Sequence, residues 1–165
     1  IVDILMPPLS SWELAFAFAM GGVTRGLVVG LTVSLAVFLF MPYTINFPLY
    51  VVFHAFSASL MLSLLGVISG IWSEKFDHMA ALTNFVITPL AFLSGTFYSL
   101  QSLPGFWRTL AEYNPFFHMI NGFRYGATGV TETDIPLSIV FLIVVNIVLS
   151  TVALRMLKSG YKLKS

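Results

Sequence analysis

The chain has 165 residues, of which 58% are hydrophobic and 9% charged, and its formal net charge is +1. Soluble domains carry about 25% charged residues, so a soluble globular domain is excluded, and a balance this close to neutral offers no basic field to nucleic acid. Cysteine is absent, which removes disulfides and thiolate metal sites.

Three stretches, Gly26–Ser73, His78–Trp107 and Ile135–Leu154, hold no charged side chain. A bilayer core about 30 Å thick takes roughly 20 apolar helical residues to cross. The predicted fold is therefore an all-α polytopic transmembrane bundle. Spans are expected over about 15–40, 48–72, 79–100 and 136–156. Residue 1 is Ile, and no basic n-region or cleavage site follows it. That predicts a piece of a longer polypeptide rather than a signal peptide.

In chain order, Asp3–Glu13 is short and amphipathic with a Pro-Pro break, which predicts a membrane-surface elbow. Leu5, Leu9 and Trp12 fall at spacings of four and three, on one face of any helix there. The first span carries Gly22, Gly26 and Gly30, four residues apart on one helix face, where small residues permit close backbone approach. Met41–Phe47 reads as a turn, with Pro42 and Asn46 as breakers. The second span has a matching stripe at Ser59, Ser63, Gly66 and Gly70. Ser73–Asp77, with Glu74, Lys75 and Asp77, predicts a tight charged hairpin. In the third span Thr88-Pro89 predicts a kink, because proline removes a backbone donor and clashes one turn back.

Gln101–Asp134 is too polar to span and too aromatic for an ordinary loop. Pro104 opens a helix through Glu112, and Asn114-Pro115 ends it, since a residue before proline avoids helical dihedrals. A second helix is expected over about 116–128. Phe116, Phe117, Ile120, Phe123 and Ala127 fall near one face, with His118, Asn121, Arg124 and Tyr125 on or beside the other. Two amphipathic helices lying in or dipping into the interface fit this pattern, and the aromatic density matches headgroup depth. The aromatic face from Phe97 to Phe123 has two readings, an interfacial belt or the lining of an exit.

Lysine and arginine in short loops set orientation. Lys75, Arg155, Lys158, Lys162 and Lys164 fall on one side, with Arg25 near it, against Arg108 and Arg124 on the other. The tail, the Ser73–Asp77 hairpin and the start of the chain are therefore expected in the cytoplasm.

Four stretches resemble the permease subunit of type-2 ATP-binding-cassette (ABC) exporters: L-M-P-P-L-S-S-W-E-L leading to Gly21–Gly26, the Gly70–Asp77 hairpin, Thr88–Trp107, and Tyr113–Gly126. The likeness covers the whole chain and is nearest to bacterial inner-membrane drug and polysaccharide efflux permeases. The resemblance implies six spans with both ends cytoplasmic, a homodimer, and a separate ABC ATPase subunit. The four expected here correspond to the C-terminal part of such a permease. The elbow and hairpin (Leu5, Leu9, Trp12, Glu74, Lys75, Asp77) would couple to the ATPase. Asn114, Pro115, His118 and Arg124 would belong to the family motif and exit region. Ligands expected besides the partners are membrane lipid and the transported molecule, with no cofactor.

The chemistry-bearing residues agree with a non-enzymatic role. No G-x-x-x-x-G-K-[ST] loop is present, so ATP hydrolysis would belong to the partner. His54, His78 and His118 lack metal-ligand spacing. Ser69-Gly70 and Ser94-Gly95, the nearest approach to an intramembrane serine nucleophile, form no G-x-S-x-G elbow. A secondary transporter would need ionisable groups mid-membrane, and His54 is the only deep titratable group. A secondary transporter and a structural helper subunit are the alternatives.

Overall fold

The computed structural model describes residues 10–73 and 76–159. Its helices are α1 (Ser11–Phe40), α2 (Pro48–Trp72), α3 (Phe76–Leu82), α4 (Thr88–Phe92), α5 (Gly105–Glu112), α6 (Pro115–Thr128) and α7 (Ile135–Ser159), with a π-helical turn at Thr83–Ile87 and a 3-10 turn at Leu100–Ser102. Among the described residues, α1, α2 and α7 are long and apolar enough to cross a membrane.

α1 begins earlier than the expected span, because Ser10 caps it. The Ser10 hydroxyl accepts from the Glu13 N–H at 3.3 Å, and the Ser10 N–H donates to the Glu13 carboxylate at 2.8 Å. This reciprocal capping box satisfies two of the donors a helix start leaves free. Trp12 thus sits in the first turn of the span itself, stacked on Phe16, rather than on a separate elbow.

α1 and α2 run antiparallel and touch at Gly22 with Ser63 and Gly26 with Ser59. α7 runs alongside α2 in the same direction, tied by the Asn146 amide donating to the Ser57 carbonyl at 3.3 Å. Ala19, Leu64 and Ala153 bring all three helices together. A second cluster, Met61, Phe116, Met119 and Leu142, joins α2, α6 and α7 and takes Leu90 and Ala91 of α4 against it.

The expected third span is the largest departure. Helix runs from Phe76 only to Phe92, and a π-helical turn interrupts it. Pro89 explains the interruption: its ring excludes the carbonyl one turn back, and widening that turn moves the carbonyl aside. The Thr88 N–H and hydroxyl both bond the Thr83 carbonyl, five residues back, the hydroxyl at 2.9 Å. The chain then turns at Gly95, whose φ of +75° only glycine adopts without strain, against the ring of Phe117.

The helix expected over 116–128 forms, but it is not a surface helix. α6 runs antiparallel to α2, with Gly126 against Val51, Gly122 against His54, and Met119 in the cluster with Met61. At 1.5 Å per residue this register puts the start of α6 about 20 Å down α2. Seven of its fourteen residues are buried, including His118 and Asn121 from the face expected to meet water. α5 keeps the expected surface character, with Phe106 and Trp107 exposed.

Candidate functional site

Polar groups line α6 from its buried start to the loop that leads into α7. Asn114 caps α6 by accepting from the Phe116 N–H at 3.0 Å, and its amide donates to the Leu90 carbonyl at 2.6 Å. α4 stops at Phe92, so the Leu90 carbonyl lacks its helical donor and Asn114 supplies one. One side chain thereby joins the broken span to α6, with Pro115 at the first helical position preset for it. His118 bridges further: one ring nitrogen meets the Glu112 carbonyl at 2.8 Å and the other the Ser138 hydroxyl at 2.9 Å. It is a buried strut between α5, α6 and α7 rather than an interfacial histidine.

Arg124 lies in a network that the sequence reading missed. Its guanidinium donates to Glu132 at 3.0 Å and to the Asn121 side-chain oxygen at 3.1 Å. Glu132 also accepts from the Leu100 N–H at 2.7 Å, and its own N–H donates to Asn121 at 3.1 Å. The Asn121 amide donates to the hydroxyls of Thr131 and Thr133 at 3.1 and 2.8 Å. Asn121 is fully buried and Glu132 nearly so, so water screens the pair less than an open surface bridge. The network fastens the turn after α4, the helix α6 and the loop before α7. Asn121 and Arg124, three apart on one helix face and followed by an acid-bearing Thr-Glu-Thr loop, were the available signal.

The glycines divide. A Cβ at Gly22 would lie 2.6 Å from Ser63 Cβ, and at Gly26 2.9 Å from Ser59 Cβ, so these two lie at a close seam. The Ser63 hydroxyl donates across it to the Ala19 carbonyl at 3.1 Å. Gly30, Gly66 and Gly70 differ from them: among the described residues nothing lies within 4 Å of a Cβ at any of the three, so the close seam does not extend to them. α6 carries two further close approaches: a Cβ at Gly122 would fall 1.9 Å from His54 Nε2, and one at Gly126 would meet backbone, 2.7 Å from the Val51 nitrogen. The sequence reading singled out neither.

Of the coupling residues, Leu5, Leu9, Glu74 and Lys75 lie outside the described residues. Trp12 and Asp77 are exposed at the same end of the bundle, where α1 starts, α2 ends and α3 begins. Arg25 is exposed with no bonded partner among the described residues. The Ser94 hydroxyl bonds the Ala91 carbonyl and the Thr96 hydroxyl, and Ser69 bonds the Gly66 carbonyl, so both serve local turns. Among the described residues no group of three His, Asp or Glu could hold a metal.

These features accompany a sequence that matches the ABC-2 type transporter family over residues 2–128. The chain belongs to that family. Proteins named "Inner membrane transport permease YadH" from Escherichia coli K12, Escherichia coli O157:H7 and Shigella flexneri are 34% identical to it over all 165 of its residues. The ABC-2 chain described here spans 64% of their length. No solved structure matches it.

Proposed function

We propose that the chain is the C-terminal part of the permease subunit of a bacterial ABC exporter. It works in the cytoplasmic membrane as one of two permease copies and takes its energy from a separate ATPase subunit. The single observation that carries this reading is the ABC-2 match over residues 2–128, alongside relatives named transport permeases. The sequence holds no nucleotide loop, which supports a partner as the source of ATP hydrolysis.

The mechanism supported is alternating access. Nucleotide binding draws the ATPases together, and the Asp3–Trp12 segment and Ser73–Asp77 hairpin pass that motion to the spans from the cytoplasmic end. At the opposite end the Asn121–Arg124–Glu132 network holds α6 against the loop before α7 and would have to loosen for a substrate to leave. The broken α3–α4 span supplies a place to bend. A bundle with few buried charges suits an apolar, amphipathic or lipid-linked cargo.

Docking helices are held by a few apolar anchors. In the full-length protein Leu9→Glu is expected to abolish transport and release the ATPase while membrane insertion stays normal. Glu132→Ala, at the opposite end, is expected to leave ATPase binding unchanged. Co-purification of the ATPase and stimulated ATP hydrolysis read both. Transport by Leu9→Glu at the normal rate, or a full-length protein that brings down no ATPase, overturns the reading in favour of a secondary transporter.

A further inference from the structure

α1 and α2 touch at Gly22 and Gly26 and have parted by Gly30. Beyond Gly30 they diverge toward the Met41–Phe47 turn and leave a wedge-shaped cavity of about 960 Å³ between α1, the turn and the end of α6. Val33 and Val37 of α1 face Val51 of α2 and Phe123 of α6 across it. Thr44 and Asn46, both exposed, belong to its polar rim. No charged side chain lines it.

The wedge is held open by the turn that caps it. The Tyr43 hydroxyl bonds the Ser34 hydroxyl and also meets the Ser34 carbonyl at 3.2 Å, which fastens the turn to α1. On the other side the N–H groups of Asn46 and Phe47 donate to the Ala127 and Gly126 carbonyls at 3.4 and 2.8 Å, which fastens it to α6. Closing the wedge would break one of these two sets of bonds.

An apolar space of this size beside lipid does not stay empty, because its walls would forgo their dispersion contacts. Water is a poor filler, since it needs two to four polar partners and the lining is mostly apolar, with Ser34, Tyr43, Thr44, Asn46 and Thr128 its polar side chains. We propose that the wedge is a binding site for one glycerophospholipid. An acyl chain lies between α1 and α6, and the ester and headgroup oxygens meet the polar rim at Thr44 and Asn46. Because no charge lines the site, it selects chain and shape rather than headgroup charge. The proposal does not depend on the exporter reading or on which membrane face the turn occupies.

The test is native mass spectrometry of the full-length protein released from vesicles of equal phosphatidylethanolamine and phosphatidylglycerol. One phospholipid per chain is expected to survive release, with both headgroups represented and no dependence on salt. Val37→Trp and Gly30→Trp each fill the wedge and are expected to cut retention about tenfold. Val148→Trp, on an exposed stretch of α7, is expected to leave it unchanged. Size exclusion identifies any variant that fails to fold, and either wedge variant suffices. Three outcomes overturn the proposal: no retained lipid in the parent protein, as when another helix of the longer chain fills the wedge; retention that survives a folded wedge variant; or retention confined to phosphatidylglycerol.

Discussion

α1 and α6 are opposites in sequence and opposites in placement. α1 is thirty residues of mostly apolar side chains, of which only Ala15, Ala19 and Val23 are buried. α6 is fourteen residues carrying His118, Asn121 and Arg124, and half of it is buried, His118 and Asn121 included. In water the apolar helix would be the core. In a bilayer, lipid solvates Leu31, Leu35 and Leu39 as well as protein would, so apolarity confers no drive to leave the lipid. Polar groups have no water to turn to and are satisfied only by one another. Polarity therefore marks the protein interior, and small residues mark where backbones meet.

The sharpest way to break this contrast is to enlarge a residue at the tightest seam. Gly126→Ala sets a methyl against the Val51 backbone, which cannot rotate away, and should cost about 3 kcal/mol, the upper range for overpacking. Thermal or denaturant midpoints in detergent read it, and a neutral result would mean that α6 does not pack where described. Gly122→Ala is expected to cost slightly less, since His54 can be trimmed. His54→Ala in the same chain should recover part of the loss, and strict additivity would sink the contact.

Asn121→Ala comes next. It strands the Glu132 N–H and removes a guanidinium acceptor in a mostly buried network, at about 2 kcal/mol. Cross-linking between the 96–102 turn and the 130–134 loop should fall with it. Gly26→Ala at the α1–α2 seam should cost about 1–2 kcal/mol, since the Ser59 hydroxyl can turn away but its Cβ, 2.9 Å off, yields only by a small shift between the helices. Gly30→Ala, with open space around it, should be silent, and equal effects at the two glycines would contradict the divergence that opens the wedge. The smallest effect belongs to Arg108→Ala. Its exposed pair with Glu112 is worth no more than about 0.5 kcal/mol.

The ends of α2, α5, α6 and α7 were legible to within a few residues because charge-free runs, prolines and Asn114 are local signals, whereas α1 starts before the expected span, at its Ser10 cap. The shape of the third span was only half legible. Pro89 announced a bend, but the end at Phe92 depends on Asn114, more than twenty residues later, receiving the Leu90 carbonyl. The burial of α6 was misread because its helical pattern is that of an amphipathic surface helix. What reverses it is the pairing of Asn121 with Thr131 and Thr133 and of His118 with Ser138, partners that a face-by-face reading does not connect. The glycine ladder was legible as a pattern but not in extent, because spacing shows which residues share a face and not where two helices diverge.

The most direct measurement places single cysteines on the cysteine-free background of the full-length protein and adds a membrane-impermeant maleimide from each side in turn. Val130→Cys, exposed in the loop that follows α6 at the end of the bundle, should label from one side. His118→Cys, on the face that a surface-lying α6 would turn to water, should resist labelling from both sides until the protein is denatured, because α6 is held inside the bundle. Labelling of His118→Cys in the folded protein at the rate of Val130→Cys would contradict the buried placement of α6 and the polar interior built on it.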